Sequence, residues 1–366
     1  MINPDLQNRS PIRRQRAEIY VLITLLSFAA SVSLTRLFLG LTGYPQLGNK
    51  ELHIAHVLWG GLILFIASLL PLLFVNRWVY PITALLAGIG VGLFIDEVGK
   101  FITQNNDYFF PAAAPIIYAL FLLTVLLYVQ VRKRRQMDAR TELYYILQDL
   151  EEVLDHDLNE NERADILDHL DRVNKKSADK DISLLAQHLQ SFITNKQLEI
   201  VPINEPFWRH WQNKILTFEQ SYISRNRFRA ALVGGLIAWG IFTLSYTIAL
   251  LLSMHNPAEL SLTLSGLINT RVISNPSGLT WFETRIGLEG SMGVIMIIAA
   301  GLFTFRRDRR AFMIAYLGLL LSLTIVNLLL FYYDQFSTIS SALIQFIILL
   351  ALLRYRNRFL KSITPE

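Results

Sequence analysis

Eight runs of mostly apolar residues recur along the chain, each about as long as a membrane-spanning helix. A helix needs about 20 such residues to cross the hydrocarbon core of a bilayer. The pattern therefore predicts an all-α polytopic membrane bundle of eight transmembrane helices in two groups of four. The predicted helices run over Ile19–Gly40, His53–Phe74, Val79–Phe101, Pro111–Val131, Phe228–Leu252, Arg285–Phe305, Phe312–Phe331 and Phe336–Leu353.

Clusters of arginine and lysine flank these runs and predict an orientation. Basic residues in short flanks stay on the cytoplasmic side of a membrane. With eight crossings every cluster falls on that side, so both termini are expected in the cytoplasm of a multi-pass plasma (bacterial inner) membrane protein. The clusters cover Arg9–Arg16, Arg77, Arg132–Arg135, Arg225–Arg229, Arg306–Arg310 and Arg354–Lys361.

A polar stretch separates the two groups, and its pattern is also helical. Leu143, Ile146 and Leu150 recur at three- and four-residue spacing, and Asn159 and Asp181 are predicted helix N-caps. We interpret it as a helical cytoplasmic insert that could dock a protein partner. The predicted organisation is a basic N-terminus (1–18), a first membrane half (19–132), the insert (133–226), a second membrane half (227–354) with an outer loop (253–284), and a cytoplasmic tail (355–366).

The composition agrees with a chain embedded in a lipid bilayer, since 52% of residues are hydrophobic and 17% are charged. The chain contains no Cys, which excludes disulfides, thiolate nucleophiles and Cys-ligated metals. The net charge of +5 is unevenly distributed: 17 acidic and 9 basic residues between Gln136 and Ser224 give −8, and the remaining 12 and 25 give +13. The basic excess lies at membrane flanks, so no nucleic-acid partner is predicted.

Ionisable side chains concentrate near the outer ends of four predicted helices. Such groups cost roughly 2.5–3.5 kcal/mol each at the centre of a bilayer, so each needs a partner or a role. We expect them to meet in one polar site built from the first, second, third and sixth helices. The residues are Arg36, His53, His56, Asp96, Glu97, Lys100, Arg285 and Glu289.

Helical spacing indicates which side chains share a face. His53 and His56 are three residues apart, so both imidazoles are expected on one side of the second helix. Gly88, Gly92 and Asp96 recur every four residues on the third helix, a stripe that is typical of close helix packing. Asp96 is therefore predicted to point into a seam between helices.

Three functions remain open for this site. In the first, the charges only neutralise one another in a non-catalytic scaffold, with Asp96 paired to Lys100, Arg285 paired to Glu289, and Arg36 free to meet Glu97.

The second function is a transporter or ion-coupled protein for an unknown small solute or lipid. Asp96 or Glu97 exchanges a proton and His53 or His56 relays it, because a histidine titrates near neutral pH. Arg36, Lys100, Arg285 and Glu289 are then charge partners. This is the function that we favour from the sequence.

The third function is a divalent-metal-dependent hydrolase that acts on an outer-leaflet lipid or lipid-linked substrate. His53, His56, Asp96 and Glu97 offer nitrogen and oxygen ligands suited to Zn, Mn or Fe. In outline this set resembles membrane hydrolases that hold zinc with His and Asp from several helices. The last four predicted helices contain no histidine.

Two aromatic segments lie beside the predicted helix ends. The loop Asn105–Phe110 includes Asp107 and Tyr108, and Tyr332-Tyr333-Asp334 precedes the last helix. Both are typical of anchors at a membrane interface, and substrate contact is the alternative.

Overall fold

A computed structural model describes residues 10–43, 55–133, 137–177, 179–195, 198–202, 214, 217, 219, 221, 223–253 and 276–360. Within these ranges the regular secondary structure is helical, apart from one isolated bridge between Asn159 and Val201. Predictions made for His53 and for most of the loop 253–284 lie outside the described residues.

The helices of the first half follow the predicted apolar runs. They are α1 (Ala17–Thr42), α2 (His56–Leu73), α3 (Val79–Ile95), α4 (Val98–Ile102) and α5 (Ala113–Arg132). The third run was predicted as one helix over Val79–Phe101, and this is wrong, because the helix is interrupted at Asp96 and Glu97.

The helices of the insert and of the second half complete the fold. The insert contains α6 (Ala139–Asp149), α7 (Glu151–Leu154), α8 (Glu160–Lys176) and α9 (Lys180–Thr194). The second half contains α10 (Arg225–Ser253), α11 (Pro276–Thr304), α12 (Asp308–Leu321), a π-helical segment (Ser322–Val326), α13 (Asn327–Asp334), a 3₁₀ turn (Gln335–Ser337), α14 (Thr338–Tyr355) and a second π-helical segment (Arg356–Leu360).

Six stretches of the described residues are long and apolar enough to cross a membrane, which indicates a helical membrane protein. The helix α3 is apolar but has 17 residues, and Asp308–Leu360 forms one stretch of 53 residues. The predicted count of eight crossings therefore stays a prediction. The six stretches are Ala17–Thr42, His56–Leu73, Ala113–Arg132, Arg225–Ala249, Thr284–Thr304 and Asp308–Leu360.

Residue contacts divide the chain into two units. The first unit comprises Met1–Ser31, Leu58–Gly92 and Thr124–Trp211. The second comprises Val32–Val57, Leu93–Leu123 and Gln212–Glu366.

In the first unit, the insert has its own apolar core. Ile146, Ile166 and Leu170 are fully buried in it. Asn159 caps α8 in a capping box with Glu162, as predicted. The N-cap predicted at Asp181 is wrong, because the cap of α9 is Asp179, whose carboxylate accepts the Asp181 N–H.

Small residues bring helices of the first unit close together. A Cβ added at Gly92 would lie 2.7 Å from the Cβ of Ser31, and one at Gly90 would lie 3.0 Å from the carbonyl oxygen of Gly60. The Ser31 hydroxyl also donates to the carbonyl of Ile89 over 3.1 Å. The predicted role of the glycine stripe in helix packing is confirmed.

The second unit has an apolar core among α10, α11, α12 and α14. Leu236, Phe303 and Leu352 are completely buried in it. A buried polar network lies beside this core, where Ser322 and Asn327 each donate to the Gln345 side-chain oxygen over 3.1 Å. The π-helical segment Ser322–Val326 begins in this network, and such segments are frequent at functional sites.

Candidate functional site

The interruption between α3 and α4 places two carboxylates side by side in the interior of the second unit. Helix α3 ends at Ile95, α4 begins at Val98, and Glu97 has φ −92° and ψ 11°. Asp96 is 0% exposed and Glu97 is 1% exposed. Because the helix does not continue, the two side chains are not held at the 100° separation of neighbours on a regular helix.

Asp96 accepts hydrogen bonds from three other side chains. Arg36 Nε lies 2.5 Å from Oδ1, and Arg36 Nη2 donates over 2.9 Å to the main-chain oxygen of Asp96. The Tyr108 hydroxyl donates to Oδ2 over 2.7 Å, and His56 Nε2 lies 3.0 Å from the same oxygen. This carboxylate is thus surrounded by donors on both oxygens.

Glu97 has different basic partners. His56 Nδ1 lies 2.9 Å from Oε1, and Lys100 Nζ donates to Oε2 over 3.3 Å. The ion pairs predicted between Asp96 and Lys100 and between Arg36 and Glu97 are therefore wrong, and the partners are exchanged. The interruption accounts for the first pair, since the i, i+4 spacing of Asp96 and Lys100 assumed a continuous helix. Arg36 contacts Asp96, the residue that directly follows α3, instead of Glu97.

His56 joins the two carboxylates through both of its ring nitrogens. Its side chain is 23% exposed, whereas those of Asp96 and Glu97 are almost completely buried. A neutral imidazole has one N–H donor and an imidazolium has two. Only the imidazolium can therefore donate a hydrogen bond to both carboxylates at once. When it loses one proton, one of the two hydrogen bonds is lost.

Two aromatic rings enclose the Arg36 guanidinium. Its Cζ lies 4.2 Å from the ring centroid of Tyr108 and 3.6 Å from that of Phe336. Burial raises the pKa of the Tyr108 hydroxyl above its ordinary value, so the phenol keeps its proton and remains a donor to Asp96. We refer to Arg36, His56, Asp96, Glu97, Lys100 and Tyr108 as the histidine cluster.

Arg285 and Glu289 belong to a second cluster. Arg285 is 2% exposed and forms an ion pair with Asp334, and its Nη2 lies 3.7 Å from Glu289 Oε2. The i, i+4 pair predicted between Arg285 and Glu289 is thus present as a longer contact. We refer to these three residues as the arginine cluster.

The turn Gln335–Ser337 lies between the two clusters. Asp334 of the arginine cluster precedes it, and its Phe336 ring covers the Arg36 guanidinium. Gln335 has a φ of 48° and donates through its side chain to the carbonyl of Phe109 over 3.0 Å. A movement of this turn would therefore change the surroundings of both clusters.

Of the four predicted metal ligands, the structure describes His56, Asp96 and Glu97. In the part of the chain that the structure describes, no group of three or more His, Asp and Glu side chains has the arrangement of a metal site, and His53 is outside that part. A metal at His56 would have to replace one of its two carboxylate contacts. The metal site stays a prediction.

Three contributors were not assigned to the site from the sequence: Tyr108, Phe336 and Asp334. Tyr108 and Asp334 belong to the aromatic segments that were interpreted mainly as interface anchors. Both segments lie beside helix ends that carry ionisable residues, and this position was the sequence feature that could have assigned them to the site.

Comparison with protein families, with curated proteins and with solved structures finds no match to this chain.

Proposed function

We propose that this chain is a proton-coupled membrane transport protein and that the histidine cluster is its proton-binding site. The observation that carries the proposal is the position of His56, within 3.0 Å of one buried carboxylate and 2.9 Å of another. Histidine is the side chain whose charge changes most readily near neutral pH. Buried ionisable groups in membrane helices commonly mark ion and solute pathways.

The cluster contains a continuous hydrogen-bonded chain suited to moving a proton. It runs from the Tyr108 hydroxyl through Asp96, His56 and Glu97 to Lys100, and its steps measure 2.7, 3.0, 2.9 and 3.3 Å. Direct proton transfer needs groups within about 2.6–3.2 Å, which holds for the three steps from Tyr108 to Glu97, whereas the 3.3 Å step to Lys100 lies just beyond this range. His56 is the central member, so its protonation state decides how the two carboxylates are paired.

Charge balance distinguishes this proposal from a scaffold. Arg36 and Lys100 already neutralise Asp96 and Glu97, so the formal charge of these four groups is zero without the histidine. An imidazolium adds one positive charge, which a purely neutralising network does not need. We infer that His56 changes the net charge of the cluster by one when it binds or releases its proton.

The proposal includes the orientation predicted from the basic flanks. With both termini in the cytoplasm of the plasma membrane, the histidine cluster faces the outer side and takes its proton from there. The insert then lies in the cytoplasm, where it is available to a protein partner.

The direct test is proton flux into vesicles. Purified protein is reconstituted into vesicles that contain a pH-sensitive dye, the membrane potential is clamped, and the outside is acidified with and without a mixture of amino acids, sugars and organic cations. We expect the wild-type protein to acidify the interior faster than protein-free vesicles do.

The variant His56→Gln should lose this flux, because glutamine keeps hydrogen-bonding groups but does not titrate. His156→Gln is the matched control, since the side chain of His156 is 78% exposed on the insert. Equal flux in the wild type and His56→Gln would contradict the proposal and favour a scaffold. A wild-type flux no faster than that of empty vesicles would also contradict it.

A further inference from the structure

A cavity of about 270 Å³ lies in the second unit, apart from the histidine cluster. Helices α10, α11, α13 and α14 and the π-helical segment Ser322–Val326 contribute to its walls, which include Trp239, Glu289, Ser322 and Thr338. Small-molecule sites commonly measure about 300–1,000 Å³ and combine apolar walls with a few polar groups. The volume lies just below this range, so it suits a small solute or the head of a larger molecule.

Among the residues that the structure describes, the ionisable groups that line this cavity carry an excess of negative charge. Asp334 forms an ion pair with Arg285, which leaves Glu289 as the additional carboxylate. Glu289 Oε2 lies 3.7 Å from the nearest nitrogen of Arg285, beyond hydrogen-bond distance, and it has no hydrogen-bond partner among the described residues. With both carboxylates ionised, the three residues have a formal charge of −1.

A buried hydroxyl also lacks a partner at this cavity. Thr338 is 4% exposed and lines the wall, and its Oγ1 makes no hydrogen bond within the described ranges. A buried hydroxyl without a partner costs free energy, so its presence is explained when a ligand supplies the hydrogen bond. Thr338 and Glu289 are independent observations of unmet hydrogen bonding in one cavity.

Aromatic side chains form another part of the cavity wall. Trp239 and Phe242 both line the cavity, and their ring centroids lie 5.4 Å apart. The faces of such rings attract cations, and tryptophan does so most strongly. An aromatic wall together with a surplus carboxylate favours a positively charged ligand over an anion.

We infer that this cavity binds a small organic cation with an ammonium group, whose charge is balanced by Glu289 and covered by the aromatic wall, and which hydrogen-bonds Thr338. The cation is either a free solute or the ammonium of a lipid headgroup. The inference does not depend on proton coupling at His56, because it concerns binding at a separate cavity.

The test measures binding to the purified full-length protein by equilibrium dialysis with radiolabelled choline and ethanolamine, and with acetate as the anionic probe. We expect saturable binding of at least one cation and none of acetate. Absence of saturable cation binding, or binding of acetate with similar affinity, would overturn the inference.

Variants locate the site. Glu289→Gln should weaken cation binding by about tenfold or more, because it removes the balancing charge. Thr338→Val keeps the shape of the side chain and should weaken binding by about threefold to tenfold, because one neutral hydrogen bond is lost. If Glu289→Gln does not fold, Thr338→Val alone tests the site. Glu199→Gln is the matched control, since that side chain is 82% exposed. Binding that is unchanged in both cavity variants would overturn the inference.

The source of the cation is identified by repeating the dialysis in bilayer discs. Discs of phosphatidylglycerol are compared with discs that also contain phosphatidylethanolamine. Loss of choline binding only in the second lipid identifies a headgroup as the occupant, and equal binding in both identifies a free solute. Either result supports an ammonium site.

Discussion

The guanidinium of Arg36 contacts Asp96 twice, once at the carboxylate and once at the main-chain oxygen. Nε lies 2.5 Å from Oδ1, and Nη2 donates to the carbonyl over 2.9 Å. Asp96 immediately follows the last residue of α3, so this carbonyl lies at the end of a helix, where intrahelical partners run out. One side chain thus neutralises a buried carboxylate and also satisfies the backbone at the interruption.

Arg36→Lys should destabilise the protein although it conserves the charge. A lysine ammonium lacks the planar fork that reaches two acceptors at once, so one hydrogen bond to Asp96 is lost. We expect a decrease of about 1.5–3 kcal/mol in the free energy of unfolding, measured in detergent with denaturant. Arg309→Lys, at an exposed position, is the control. Equal stability of the two variants would show that the double contact contributes nothing.

Tyr108→Phe should shift the pH profile of proton flux towards higher pH. The phenol donates to Asp96 Oδ2 and keeps its proton because burial raises the pKa of the hydroxyl. Without this donor the ionised carboxylate is less stabilised, so a proton bound within the cluster is released at higher pH. Vesicle assays over a range of external pH measure the shift. Tyr332→Phe is the control, and a profile identical to that control would contradict the proposed relay.

Gly92→Ala should destabilise the packing of the first unit. The added Cβ would lie 2.7 Å from the Cβ of Ser31, so the helices must move apart, at a cost of about 1–3 kcal/mol. Gly61→Ala is a matched control, because a Cβ at Gly61 meets nothing within 4 Å and alanine favours the helix. Melting temperatures of the two variants should move in opposite directions. A similar decrease in both would assign the effect to glycine content rather than to close packing.

Much of the helical framework was predictable, because the length of an apolar run is a property of sequence alone. The runs around Leu25, Ile117 and Leu236 coincide with α1, α5 and α10. Run length alone does not give the number of membrane crossings. Helix α3 is shorter than the other candidate spans, and Asp308–Leu360 is one helical stretch of 53 residues where the sequence predicted two helices.

The pairing within the site was not predictable. Helical spacing predicted Lys100 as the partner of Asp96 on the assumption of a continuous helix, whereas Asp96 pairs with Arg36, a residue 60 positions away in the sequence. Tyr108 and Phe336 come from segments that follow or precede helices, where periodicity carries no information about direction. Tertiary contacts, and not local sequence, decide these details.

Phe336→Leu should test the turn that lies between the two clusters. The ring covers the Arg36 guanidinium at 3.6 Å, and a cation–π contact contributes about 0.5–2 kcal/mol, with the higher value at sites shielded from water. Leucine keeps the apolar contact but removes the ring face, so we expect a decrease in unfolding free energy within that range. Phe346→Leu, at an exposed position on α14, is the control. A decrease no larger than in the control would show that the Phe336 ring does not stabilise the Arg36 guanidinium.

In the proposed function, His56 gains and loses a proton between the two carboxylates. Nitrogen NMR of protein labelled at histidine measures this most directly, and His56→Gln assigns the signal. We expect two hydrogen-bonded N–H signals from an imidazolium at low pH. As the pH rises, these signals should change in one step to those of a neutral ring. Asp96→Asn and Glu97→Gln should each change the pH at which this step occurs. A His56 that stays in one protonation state at every pH where the protein is folded would contradict the account.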